Sequence, residues 1–286
     1  MDLKRPVGQS RWQRGPVIIV GAHRSGTTAT ARALALLGLQ IGQRLDSHHE
    51  SKALQRLHEN YLQRFGAAWF RPTPFLDSVQ TPDGERDCLE YLRTNSHREF
   101  ARIFGYRTNP RGLWILTRLK LGSAWGWKEP RTTLFARLWL QLFPAARVID
   151  VIRHPLAVAM SIRRREMGFR AAGDPPTPEL GELDYCLRLA LIYVELGEHL
   201  ATQTPHYRRV RFEEIQAHPS KALEELADFC GLHLTRARLT KSAASIRPES
   251  SQRWHSSPQE RRELLSNYPI VAKLGYGWEN PGLGKG

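Results

Sequence analysis

VIIVGAHRSGTTATARALALLG, running from Val17 to Gly38, is the stretch on which the reading of the fold turns. Its first part, with Pro16 in front, is a short β-branched run bounded by glycine on both sides, which predicts a buried strand over Pro16–Val20. Thr27–Leu37 is Ala/Leu-rich around its whole circumference, and Gly38 is placed to end it, so a buried helix is expected there. Between strand and helix lie Gly21, Ser25 and Gly26. Glycines let a backbone curl until successive N–H groups face one concavity, and the helix N-terminus adds positive potential to it. Hydroxyls on Ser25, Thr27 and Thr28 extend the donor set, giving an anion cradle with a strand before it and a helix after it.

The cradle departs from the nucleoside triphosphate loop GxxxxGK[ST]. There a lysine follows the second glycine and reaches the terminal phosphates. Here Thr27 holds that place, and the positive charge sits earlier, at Arg24. A metal-dependent kinase or other P-loop phosphotransferase would share the fold but want that lysine.

Farther along, helical spacing covers Ser51 to Phe65 and Glu85 to Phe104, and WGWK (Trp125 to Lys128) is a second candidate strand. A helix is expected from Thr132 to Phe143, stopping before Pro144. RVIDVI (Arg147 to Ile152) is the next clear strand, with a helix opening at Pro155. GDPPTPELGE (Gly173 to Glu182) reads as a Pro/Gly loop able to move, followed by a helix over Leu183–Thr202, a strand over Tyr207–Phe212 and a helix over Ser220–Cys230. Strands alternating with helices predict an α/β fold: a P-loop-type parallel sheet flanked by helices on both faces. Residues 1–15 are polar enough to expect a flexible lead-in, and 16–286 a single domain.

Forty-two Lys and Arg against 28 Asp and Glu give a formal charge of +14, which favours anionic partners without choosing among them. Nucleic acid is one candidate, yet no binding signature and no basic arm with interleaved aromatics is present. The three cysteines, Cys88, Cys186 and Cys230, are widely spaced and form no CxxC pair, which argues against a disulfide framework and suits a reducing compartment. The apolar run at Val17–Val20 is too short for a signal peptide, and no segment approaches the ~20 apolar residues of a membrane span. The chain is expected to be cytoplasmic, without stable membrane insertion; its oligomeric state is not readable.

RVIDVIRHPLAVAMSIRRR carries a second anion site. Arg153 ends the strand, Pro155 starts the helix, and Ser161 follows about 9 Å along it, close to the carboxyl edge of the sheet where open α/β folds bind ligands. Arg164 and Arg165 lie on the same helical side as Ser161. Asp150 is expected as a buried polar residue or an edge charge, and no metal is assigned to it or elsewhere.

The order G-x-x-R-S-G-T-T resembles the 5′-phosphosulfate loop of sulfotransferases dependent on 3′-phosphoadenosine-5′-phosphosulfate (PAPS), and R-x-P-x-x-x-x-x-S at Arg153, Pro155 and Ser161 resembles their 3′-phosphate motif. WGWKEPR is similar to the K-[DE]-P-R run of bacterial members and, more loosely, to the K-x-P of glycosaminoglycan sulfotransferases. The resemblance runs well from Val17 to about Arg165, more loosely through RRVRFEEIQAHP (Arg208 to Pro219), and ends in a late LGYGW. It implies that Gly21, His23, Arg24, Ser25, Gly26, Thr27, Thr28, Arg153 and Ser161 hold PAPS as co-substrate. It also implies that Arg24 stabilises the leaving phosphate and that Lys128 meets the transferring group, Arg131 assisting. A glutamate after the first helix serves related carbohydrate and bacterial enzymes as general base. By position that is Glu50, with His49 in reserve because imidazole titrates near neutrality; His48, His58 and Glu59 lie in the same stretch. The acceptor would be a small-molecule or glycan hydroxyl. Two departures stand out: Ala29 occupies the place of a tryptophan that stacks on adenine, and the R-K-G triplet of cytosolic members is missing, with Arg253 a substitute.

Overall fold

Val17, Ile18, Ile19 and Val20 are each no more than 1% exposed, so the strand they form is covered on both faces. Fully burying side chains of this kind is worth roughly 1.5–3 kcal/mol each. The computed structural model describes residues 15–42, 45, 50–104, 124–247 and 257–277. Within them four parallel strands, β1 (Val17–Val20), β2 (Gly126–Lys128), β3 (Arg147–Ile152) and β4 (Tyr207–Arg211), lie in the order β2-β1-β3-β4.

Helices α1 (Thr27–Leu37), α2 (Lys52–Gln63), α3 (Thr73–Val79) and α4 (Pro82–Phe104) separate the first two strands. α5 (Thr132–Leu142) leads to β3, and α6 (Pro155–Ala171) and α7 (Leu183–His199) lead to β4. The chain continues through α8 (Phe212–Ala217), α9 (Pro219–Cys230), α10 (Arg236–Ala244), α11 (Pro258–Ser266) and α12 (Pro269–Lys273). Strand alternation sorts the side chains between two cores. Ile18, Val20, Trp127 and Val148 pack with Leu57 of α2, Trp139 of α5 and Leu187 of α7. Val17, Ile19 and Ile149 pack on the other face with Leu34 of α1 and Leu223 of α9. The expected α/β architecture, a parallel sheet with helices on both faces, is the one observed.

Asp150 is fully buried in β3, where Oδ2 accepts hydrogen bonds from Tyr207 Oη (2.7 Å) and Arg209 Nε (2.8 Å) of the adjacent strand. Burial raises its pKa against the pull of Arg209. A β-carbon on Gly197 would stand 2.6 Å from Asp150 Oδ2, so α7 approaches this closely only because residue 197 is glycine. Asp150 therefore joins strand to strand and strand to helix. The Pro/Gly segment Gly173–Glu182 is less open than its composition predicts. It contains a 3₁₀ turn, Pro178–Gly181, with Leu180 buried, and Glu166 Oε1 accepts from Thr177 N at 2.6 Å. Among the described residues no helix is long and apolar enough to cross a membrane.

Candidate active site

The turn from β1 into α1 is held in an unusual backbone. Gly26, at the N-cap, has φ 100°, and a β-carbon there would strike the Phe212 ring at 2.3 Å. Arg24 has φ 71°, the one described non-glycine residue in the left-handed region, a conformation that costs roughly 1–2 kcal/mol. No side chain caps α1, so the donors of its first turn are presented to the cleft beside them. The turn is pinned from behind by α5: Gly21 N donates to Thr133 Oγ1 (3.0 Å), and Thr133 Oγ1 donates to Gly21 O (3.2 Å).

The β3–α6 junction meets this loop directly. Arg153 Nη1 donates to the Arg24 carbonyl at 3.0 Å, and Arg24 Nε donates to Ser161 Oγ at 3.0 Å. His154 caps α6, with Nδ1 accepting from Leu156 N (3.2 Å), which leaves the ring proton on Nε2 to donate to the Gly277 carbonyl (2.7 Å). Burial lowers its pKa to about 4, so the cap stays neutral. Glu213 holds the same junction, accepting from His154 N and from Tyr276 Oη, while Arg211 donates to the Leu274 carbonyl. The late LGYG segment is thus the strap that fixes the junction.

Lys128 ends β2 beneath the loop, 2% exposed. Its Nζ donates to Thr28 Oγ1 at 2.9 Å and to Glu50 Oε1 at 2.7 Å. Glu50 immediately precedes Ser51, whose hydroxyl caps α2 by accepting from Leu54 N. Arg24, Gly26, Thr28, Glu50, Lys128 and Arg153 line one cleft of about 470 Å³, where, among the described residues, six arginines and Lys128 face one carboxylate, Glu50. Its volume lies in the range usual for ligand sites, roughly 300–1,000 Å³.

The residue next to Lys128 faces away from the cleft. Glu129, fully buried, accepts from His58 Nδ1 (2.6 Å) and from Arg131 Nη1 (2.7 Å). Trp139 Nε1 donates to His58 Nε2 (3.1 Å), which places the His58 proton on Nδ1. Arg131 Nη2 continues the chain to Glu59 Oε1 (2.6 Å). Burial alone would raise the Glu129 pKa, but the His58 hydrogen bond and the Arg131 charge outweigh it and hold the group near 2. These bonds clasp α2 to the turn after β2, and so set how far Glu50 stands from Lys128.

The cleft therefore gathers His23, Arg24, Gly26, Thr27, Thr28, Glu50, Lys128 and Arg153 from the residues the sequence singled out, and Ser161 joins through Arg24. Gly21 and Ser25 do not line it; they border a much smaller cavity behind the loop, beside Asp150. His58 and Glu59 serve the clasp, whereas His48, His49 and Arg253 lie outside the described residues. Sequence reasoning passed over Arg32, Trp69, Phe212, Gln216 and Arg247, all of which line the cleft. Of these, Phe212 and Gln216 carried a signal, since both lie in the segment Arg208 to Pro219 whose resemblance was noted.

Several solved structures resemble the chain. The sulfotransferase domain of the Synechococcus PCC 7002 olefin synthase is 18% identical, with a TM-score of 0.49 over 97% of this chain and 99% of that one. Sulfotransferase STF9 from Mycobacterium avium is 13% identical, with a TM-score of 0.48 over 90% of this chain and 76% of its own. A sulfotransferase from Alicyclobacillus acidocaldarius is 16% identical, with a TM-score of 0.47 over 93% and 99%. No curated protein matches in sequence. Residues 16–236, from the start of β1 into α10 and including every cleft residue named from the two motifs, match the sulfotransferase family model, and the chain belongs to that family as a sulfotransferase.

Proposed function

We propose that the enzyme takes its sulfuryl group from PAPS and transfers it in line to a carbohydrate hydroxyl, in a reducing, cytoplasmic setting where its three buried cysteines stay free. The observation that carries the donor assignment is the contact between the two anion sites. Arg153 and Arg24 share a hydrogen bond, so both ends of one doubly phosphorylated adenosine can be gripped at once. The uncapped first turn of α1 and the Gly26 cradle fit a 5′-phosphate, and Arg153 with Ser161 fits a 3′-phosphate. Phe212, packed on Gly26 at the cleft wall, offers adenine the stacking surface that Ala29 cannot.

Bound there, PAPS supplies an activated sulfuryl group on a phosphate leaving group. Arg24, permanently charged, stabilises negative charge developing on the departing oxygen. Lys128 places its ammonium where equatorial oxygens gather charge, and Glu50 takes the proton of the attacking hydroxyl. The 2.7 Å bond between them keeps base and cation in one geometry. Calorimetry tests the donor assignment: adenosine 3′,5′-bisphosphate (PAP) should bind at least about a hundredfold tighter than AMP or ATP, and Arg153→Ala should erase that preference, since charge-assisted phosphate bonds are worth about 1.5–3 kcal/mol. ATP binding as tightly as PAP would return the chain to phosphoryl chemistry.

A further inference from the structure

The two ends of the cleft are built from different chemistry. Arg24, Arg153 and the start of α1 make one part of it cationic, while Arg165 of α6 also lines the cleft and stands near enough to His23 to lower its pKa. The other end is lined by His23, Gln55, Trp69 and Pro130 beside the Glu50–Lys128 pair. Its charges are already matched. Arg131 reaches the cleft, but Nη1 and Nη2 are committed to Glu129 and Glu59. Glu50 is balanced by Lys128. His23 is held neutral by burial first and then by the neighbouring Arg131 cation.

Trp69 dominates this end, and the fold fixes it with care. Tyr193 Oη of α7 donates to the Trp69 carbonyl (2.9 Å), and Tyr185 Oη donates to the Phe70 carbonyl (2.7 Å). Ala68 and Arg71 close the turn by exchanging hydrogen bonds at 3.1 and 2.9 Å. The indole stacks on His23, with centroids 4.2 Å apart, and meets Phe70 edge-on. It is half-buried, and it lines the cleft. An indole fixed in this way is a platform whose negative face attracts the C–H face of a flat ring at little entropic cost. Around it stand an amide, an imidazole and a carboxylate, each able to pair with a hydroxyl, and Pro130 is the one other apolar side chain lining this end. A phenol would want an apolar slot. A polyol ring, apolar on its face and hydroxylated at its rim, matches what is present.

We propose that Trp69 is the acceptor platform, and that the acceptor is a saccharide ring laid on the indole with one hydroxyl turned to Glu50. The proposal rests on the PAPS-dependent reading above. It is tested by transfer of radiolabelled sulfuryl from PAPS to methyl glycosides of neutral hexoses and N-acetylhexosamines, to methyl glucuronide and to 2-naphthol, with PAP affinity measured alongside. Neutral glycosides should be labelled. Trp69→Ala should raise their KM about tenfold while PAP affinity stays within about twofold, and Trp69→Phe should keep most of the function. A preference for 2-naphthol would overturn the proposal. So would silence of every glycoside in an enzyme that binds PAP selectively, or an equal loss of PAP affinity in Trp69→Ala. Failure of the wild type to prefer PAP over AMP would instead sink the donor assignment.

Discussion

Lys128 and Glu129 are neighbours in the chain, both buried, and each bonds to a side chain brought in by the segment that opens or forms α2. Their surroundings separate them. Lys128, Thr28 and Glu50 all line the cleft, so a ligand can compete for the ammonium. Glu129 is closed in by His58, Trp139 and Arg131, and no ligand reaches it. A buried ion pair thus says little about function until one knows which side of it is open.

Separating turnover from stability is the sharpest way to break this comparison. Lys128→Ala should lower the rate of sulfuryl transfer by about 10²–10³-fold, the scale seen when a preorganised electrostatic group is removed from a transition state, while PAP affinity changes little because PAP lacks the sulfuryl group. Equal losses in turnover and PAP binding would make Lys128 a binding residue only.

Glu129→Ala should act on the other quantity. Removing one partner of a buried pair leaves the others uncompensated, at a cost of about 3 kcal/mol read by denaturant unfolding. Donor affinity should survive in the folded fraction, because the loop is pinned from behind by Thr133 and its Arg24 carbonyl is held by Arg153. Turnover should fall further than affinity, since α2 would no longer hold Glu50 in register with Lys128. A variant as stable as wild type would remove the clasp from the account.

How much of this could be read beforehand follows from how local each feature is. β1, α1 and Gly38, and then β3 and Pro155, are written in contiguous residues, and the structure places them within a residue of expectation. The cleft residues of the two phosphate motifs were legible for the same reason, because each motif spans one strand-to-helix junction. The clasp was not. His58 and Glu129 stand 71 positions apart, and nothing in either segment shows that their side chains meet at 2.6 Å. In the sequence His58 and Glu59 lay in the same stretch as Glu50, which was chosen by position alone; burial and partners show what each one does. Trp69 was hidden among eight tryptophans, most of which would be expected in cores. Its distinguishing feature, two tyrosine hydroxyls from α7 on its turn, is a tertiary fact.

Acid titration sharpens the contrast at a smaller scale. The Glu129 carboxyl is held near 2 in the folded protein, below its ordinary value of 4.5, so the unfolded chain binds its proton first as the pH falls. The stabilisation it provides is therefore complete above about pH 4.5 and drains away as pH falls through its folded value. Between pH 6 and pH 3, wild type should lose about 2 kcal/mol more stability than Glu129→Gln, at 1.4 kcal/mol per pH unit below the unfolded value. The Lys128→Ala variant, its clasp intact, should lose as much as wild type does. Parallel curves for wild type and Glu129→Gln would mean that the carboxylate's charge contributes nothing to the clasp, which would then rest on shape and neutral hydrogen bonds alone.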